Sequence, residues 1–294
     1  MYNFVLINNN FIEKQNASIS VFDHGFLYGD GVFEGIRIYS GVPFLLREHI
    51  IRLYESAQSI FLKIPFTIEI LEEMINSTIR KNNCKEDAYI RIVITRGKGI
   101  MGGHPLNKHE PTLIIIIEEI NLFSEISRNE GINLVTVSTR KPKQDSLNTQ
   151  AKTLNYLNNQ MAKLEAIQAG GDEALVLDVN GYVCEGSKQN IFIIKNDEII
   201  TPPVYLGALN GITRNLVITL AEKNGYKVKE SIFTLHDAYN ADEVFLTGTG
   251  SEIVPVKKID GRTIGRTSPG EKTRVIIQNF SDKTKNLISN NVDV

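Results

Sequence analysis

Ala174-Leu175-Val176-Leu177-Asp178-Val179-Asn180-Gly181-Tyr182-Val183-Cys184 reads as two apolar runs joined by Asn180-Gly181. Asn-Gly supplies the positive φ that a tight hairpin turn needs, so Ala174–Asp178 and Tyr182–Cys184 are expected to pair antiparallel. Upstream, apolar spacing from about Leu154 to Ala169 predicts a helix that Gly170-Gly171 stops. Before it, Ile132–Val137 reads as a strand, and Ser138–Thr149, basic and polar with Pro142, as a loop. Downstream, Asn190–Lys195 is a strand ending in a turn at Asn196-Asp197, and Glu243–Thr247 is another. A helix over Arg214–Asn224, capped by Gly225, and a last helix from about Gly270 complete a mixed α and β half.

The first half mixes the same elements. Ser18–Phe22 is short and strand-like, and Leu46–Phe61 carries Ile50, Leu53, Tyr54, Ala57, Ile60 and Phe61 at helical spacing. Thr67 is placed to cap a second helix with Leu71, Ile75 and Ile79 on one face. Ala88–Thr95 alternates, with Ile90, Ile92 and Ile94 on one face and Tyr89, Arg91 and Val93 on the other. Thr112–Ile117 is apolar on both faces, as in a fully buried strand. Asn121–Gly131 is polar and breaks the pattern, so we read residues 1–120 as one domain, 121–131 as a connection and 132–294 as a second domain.

A length of 294 residues suffices for two modest cores, and 42% hydrophobic with 22% charged residues is the balance of a globular protein. With 32 basic against 34 acidic residues, the formal charge of −2 gives no electrostatic case for nucleic acid or an anionic membrane as partner. The apolar run Leu113–Ile117 is too short to span a bilayer, and Met1–Asn10 has neither part of a signal peptide. Cys84 and Cys184 stand far apart, which suits free thiols in a reducing cytoplasm.

No metal is expected, because His24, His49, His104, His109 and His236 do not fall at ligand spacing. GxSxG, Walker A and GxGxxG patterns are absent, which disfavours several enzyme classes. Gly211-Ile212-Thr213 opens a helix, where free N–H groups and the helix dipole favour a phosphate; Thr213 also reads as an ordinary cap. Gly248-Thr249-Gly250-Ser251 is a turn able to aim N–H groups at an oxyanion, or a plain strand-end loop. Taken alone, Arg52 on its helix reads as a solvated charge and Glu185 after the hairpin as a surface acid. Lys152 stands at an expected helix start, where the dipole disfavours a cation.

Together these residues resemble the fold type IV pyridoxal 5'-phosphate (PLP) enzymes, and most closely the branched-chain amino-acid aminotransferases. The resemblance runs from about Ser20 to the last helix and rests on six segments in family order. They are Asp23 through Arg37, Arg47–Leu53, Ala88–Arg91, Ala151–Asn158, Glu185-Gly186-Ser187 with Asn190-Ile191-Phe192, and Gly211–Arg214 with Thr247–Glu252. It implies an α+β fold, a small α/β sandwich beside a larger β-barrel-like domain with flanking helices, and PLP in the cleft between them. It further implies Lys152 as the Schiff-base lysine and the group that moves the substrate Cα proton. Glu185 then keeps the pyridine nitrogen protonated, Arg52, Ile212, Thr213 and Thr249 hold the phosphate, and Tyr156 donates to the phenolic oxygen.

The same resemblance bears on the substrate. D-amino-acid aminotransferases carry an Arg-x-His carboxylate trap after a Thr-Arg-Gly; here Thr95-Arg96-Gly97 is followed by Met101 where the arginine would stand. A thioether cannot pair with a carboxylate, although His104 remains nearby. The branched-chain members instead take the α-carboxylate on turn N–H groups and a strand tyrosine, which Gly250, Ser251 and Tyr89 match. Arg91, two residues along the same strand face, corresponds to the receiver of glutamate's distal carboxylate. Phe33, Gly35, Arg37 and Tyr28 complete the substrate wall, Tyr28 across a dimer interface. The implied reaction is transamination between L-leucine, L-isoleucine or L-valine and 2-oxoglutarate, with small amino acids and 2-oxo acids as partners of an enzyme that is at least a homodimer. D-amino-acid aminotransferase and aminodeoxychorismate lyase are the alternatives on this fold, and a non-catalytic PLP-binding protein is a further one.

Overall fold

The structure is a computed structural model that describes residues 2–104, 110–120 and 122–291. Met1, His109, Asn121 and the last three residues, all touched on above, lie outside the described residues. The chain divides into two compact units, Met1–Ile120 with Ala151–Asn155 and Leu287–Val294, and Asn121–Gln150 with Tyr156–Asn286.

In the first unit the strands are β1 (Phe4–Ile7), β2 (Asn10–Glu13), β3 (Gly31–Tyr39), β4 (Val42–Pro43), β5 (Ala88–Thr95) and β6 (Thr112–Glu118). They form one sheet in the order β2-β1-β6-β5-β3-β4. Helices α1 (His24–Tyr28), α2 (Leu46–Ser59) and α3 (Ile68–Lys81) accompany it. The alternation in β5 works as expected: Ile90, Ile92 and Ile94 are fully buried with Val32, Ile36, Leu113, Ile115 and the α2 and α3 residues Ile50, Leu53, Leu71 and Ile75. Each such side chain contributes about 1.5–3 kcal/mol by leaving water. The opposite face carries Phe33, Gly35 and Arg37 beside Val93, Arg91 and Tyr89. Thr67 caps α3 by accepting from the Ile70 N–H.

Three expectations change here. Ser18–Phe22 is not a strand; it is a bend into α1, fixed by Asp23, which accepts from the Gly25 N–H and from the Thr95 and Thr112 hydroxyls. β6 is not buried on both faces: Leu113, Ile115 and Ile117 are buried, while Ile114 and Ile116 are half-buried on the opposite face. Lys152 does not start a helix. Its segment runs strand-like along β3, with a Val32–Thr153 bridge, the Phe33 N–H donating to the Lys152 carbonyl at 3.0 Å and the Leu154 N–H to the Gly31 carbonyl at 2.9 Å. The pairing partner lies some 120 residues earlier in the chain, so local periodicity cannot reveal it.

The second unit contains α4 (Glu125–Glu130), β7 (Ile132–Thr136), α5 (Leu157–Gln168), β8 (Glu173–Leu177), β9 (Val183–Glu185), β10 (Asn190–Lys195), β11 (Glu198–Thr201) and α6 (Ile212–Lys223). It continues through β12 (Lys227–Glu230), α7 (Leu235–Tyr239), β13 (Glu243–Gly248), β14 (Glu252–Ile259), β15 (Arg262–Thr263) and α8 (Glu271–Asn291). The sheet follows β12-β11-β10-β13-β14-β7-β8-β9, with β15 on β14. It curls, because β9 at one end also lies against β10. The quoted hairpin is present as the antiparallel β8–β9 pair, its turn held by Asp178, which accepts from the Asn180 and Tyr182 N–H groups. α5 starts at Leu157, three residues later than expected. Polar Asn121–Gly131 includes α4, capped by Ser124 accepting from the Ser127 N–H. Among the described residues no helix is long and apolar enough to cross a membrane.

Candidate active site

The first unit gathers one set of the expected residues. Lys152 is half-buried, its N–H donates to Ser56 Oγ at 3.0 Å, and its Nζ lies 4.5 Å from the Phe33 ring centroid. The Arg91 guanidinium carbon sits 4.6 Å from the same ring and 5.7 Å from that of Tyr89. Cation–ring contacts of this kind orient a guanidinium without neutralising it. Among the described residues Arg91 makes no ion pair. Tyr89 is half-buried on that face, and desolvation there pushes its phenol up. A Cβ on Gly35 would fall 1.6 Å from Tyr89 Oη, so only glycine admits the phenol there. Arg37 faces Tyr89 across the β3–β5 pair, stacks on Tyr39 and has Asp87 at 3.9 Å. Tyr28 is half exposed, and its Oη accepts from the Gly102 N–H at 3.0 Å, which ties α1 to the loop that carries exposed Met101.

Arg52 is buried rather than solvated. Its Nε and Nη2 donate to the two oxygens of Glu34 at 2.7 and 2.9 Å. His49 Nδ1 lies 2.7 Å from Glu34 Oε2. Burial raises a carboxyl, yet Arg52 and then His49 hold Glu34 well below the usual carboxylate range. Burial lowers His49 against the pull of Glu34, so its neutral ring donates from Nδ1. Sequence reasoning singles out neither Glu34 nor His49 as a site residue. A signal exists all the same: an acid at the core-facing position of Val32-x-Glu34-x-Ile36.

The second unit gathers the other set. Glu185 is buried and accepts from the Leu209 N–H at 3.1 Å and from Asn190 Nδ2 at 3.4 Å. Lys141 Nζ pairs with its other oxygen. In sequence Lys141 is one residue of a basic loop, and nothing in that loop's composition reveals its burial. Asn190 also reaches the helix start at α6, for a Cβ on Gly211 would lie 2.0 Å from Asn190 Oδ1. Gly211 caps α6 without any side-chain bond, so the Ile212 and Thr213 N–H groups keep the donor direction that anions use. Thr213 is buried within that first turn. Beyond β13, the Thr249-Gly250-Ser251 turn is compact, with Ser251 Oγ donating to the Gly248 carbonyl at 3.4 Å. Arg128 of α4 braces it by donating to the Ser251 carbonyl and pairing with Glu252. Tyr156 is half-buried at the start of α5.

These residues fit a phosphorylated pyridine. A helix start without a side-chain cap suits the phosphate, and a buried carboxylate with a fixed orientation suits a protonated ring nitrogen. Within the second unit Asn190 connects the two, through its bond to Glu185 and its contact with Gly211.

Comparison with known proteins agrees. The family model for class IV amino-transferases matches residues 31–259. A Methanocaldococcus jannaschii protein, provisionally named a branched-chain-amino-acid aminotransferase, is 50% identical over 279 residues, 95% of each chain. A D-alanine aminotransferase from Bacillus licheniformis is 35% identical, covering 92% of this chain and 93% of its own. The solved T.th. branched-chain amino acid aminotransferase, complexed with N-(5'-phosphopyridoxyl)-L-glutamate, superposes with a TM-score of 0.88 at 35% identity, covering 96% of this chain and 93% of that one.

Proposed function

The chain belongs to the class IV aminotransferases, and on that premise we propose that it exchanges amino groups between L-leucine, L-isoleucine or L-valine and 2-oxoglutarate, using PLP. The observation that carries the substrate reading is the β3–β5 face. An apolar ring, Phe33, there adjoins the guanidinium of Arg91, which has no ion pair among the described residues. One surface thus accepts a branched aliphatic side chain or a distal carboxylate.

Bound PLP supplies a carbonyl carbon for the amino group and a ring that draws electrons from the substrate Cα. Lys152 holds the cofactor and carries the proton to and from Cα. Glu185 keeps the ring nitrogen protonated, with Lys141 and the Leu209 N–H fixing the carboxylate. Arg52 and the Ile212, Thr213 and Thr249 groups bind the phosphate, while Tyr156 donates to the phenolic oxygen. Tyr89 and the Gly250-Ser251 N–H groups take the α-carboxylate, and Gly35, Arg37 and Tyr28 shape the side-chain wall. The enzyme acts as at least a homodimer; exposed Val21, Phe22, Phe26 and Tyr28 support that reading. The buried, unpaired thiols Cys84 and Cys184 suit a cytoplasmic site of action.

The test offers L-leucine, D-alanine or aminodeoxychorismate with 2-oxoglutarate to purified protein. Branched keto acid and glutamate should form from L-leucine. Turnover of D-alanine or release of pyruvate from aminodeoxychorismate, with L-leucine inert, would overturn the assignment. Arg91→Met should lower kcat/KM for glutamate roughly 10- to 100-fold, the worth of a charged hydrogen bond, and that for leucine by no more than about threefold. Equal losses would show that Arg91 does not select the carboxylate.

A further inference from the structure

A carboxylate at the centre of an isoleucine core calls for a reason, since taking an ion pair out of water generally costs more than an apolar replacement would. Glu34 projects from β3 on the side of Val32 and Ile36, is fully buried, and sits beneath α2. Both its oxygens are committed to Arg52, with His49 and the Gly35 N–H adding to Oε2. A bidentate fork of this sort sets the plane of a guanidinium as well as its place.

A second link leads from the same arginine to the lysine. Ser56, one turn after Arg52 on α2, donates its hydroxyl to the Arg52 carbonyl at 2.8 Å and accepts the Lys152 N–H at 3.0 Å. The Lys152 carbonyl in turn receives the N–H of Phe33, the residue before Glu34. Glu34, Arg52, Ser56 and the Lys152 backbone therefore close a ring of bonds between β3, α2 and the lysine segment.

We propose that Glu34 is a positioning residue, acting with His49 and Ser56, that fixes Arg52 as the cofactor-phosphate anchor and couples that anchor to the placement of Lys152. This rests on the phosphate and lysine roles given above. The neutral His49 ring steadies Glu34 by donation without adding a competing positive charge.

The discriminating measurement compares cofactors with and without phosphate. Gel-filtered apoenzyme is titrated with PLP and with pyridoxal, following the visible band of the lysine-bound form, and inorganic phosphate is titrated as a competitor. Glu34→Gln should weaken PLP about 10- to 100-fold and inorganic phosphate in parallel, while pyridoxal changes less than about threefold. His49→Asn should show the same selectivity at smaller size, and it serves where Glu34→Gln does not fold. A merely structural role predicts equal loss for PLP and pyridoxal with a lower apoenzyme Tm, and that outcome, or unchanged PLP affinity in both variants, overturns the proposal. Wild-type protein that forms no visible band with PLP would instead overturn the roles of Lys152 and Arg52 themselves.

Discussion

Lys152→Ala should lower kcat by about 10⁴-fold, the upper range for losing a positioned acid–base group, and should abolish the visible band of the bound cofactor. The structure makes this a clean experiment. The hydrogen bonds that hold the segment, Lys152 N–H to Ser56 and Phe33 N–H to the Lys152 carbonyl, use main-chain groups of residue 152 that alanine keeps. What alanine removes is the amine above the Phe33 ring. The apoenzyme Tm should therefore stay within a few degrees of wild type. A small primary amine added to the buffer should restore part of the turnover, since it can stand in for the lost proton carrier. A variant that turns over normally, or one that loses its fold, would sink the assignment.

Lys152 also shows what a sequence can and cannot convey. The role proposed for it comes from the motifs that accompany it in the sequence, those of Arg52, Glu185 and Gly211, whereas its local structure is not legible there. Helical spacing after Leu154 extends the expected helix backwards over a segment whose bonds go to β3. Periodicity sees neighbours along the chain, and that bond is between distant residues. The same limit hides Lys141, whose burial depends on meeting Glu185, and it also hides the commitment of Arg52 to Glu34. Where local rules suffice, the reading is good. Thr67 caps α3, the Asn180-Gly181 turn forms its hairpin, and Ile90, Ile92 and Ile94 face the core. Two further signals lie in the sequence and are easily missed. Ser124 has the chemistry of a helix cap within the polar connection, and Glu34 breaks an apolar alternation.

Glu185→Gln should reduce kcat roughly 10²- to 10³-fold, the cost of losing one fixed electrostatic partner at a reacting centre, while weakening PLP by less than about tenfold. The asymmetry follows from the groups around the carboxylate. One oxygen faces Lys141 and the other faces the Leu209 N–H and Asn190 Nδ2, all of them donors. An amide offers them only one oxygen, so its NH₂ must oppose Lys141 or Leu209. Whichever way it turns, the negative charge proposed to keep a proton on the ring nitrogen is gone. The groups proposed above to hold the phosphate would be unchanged by this substitution, so affinity should suffer less than turnover. Removal of the Cα proton should become more rate-limiting, and the deuterium isotope effect at Cα should rise. Parallel losses in affinity and turnover, with an unchanged isotope effect, would mean that Glu185 only holds the cofactor in place.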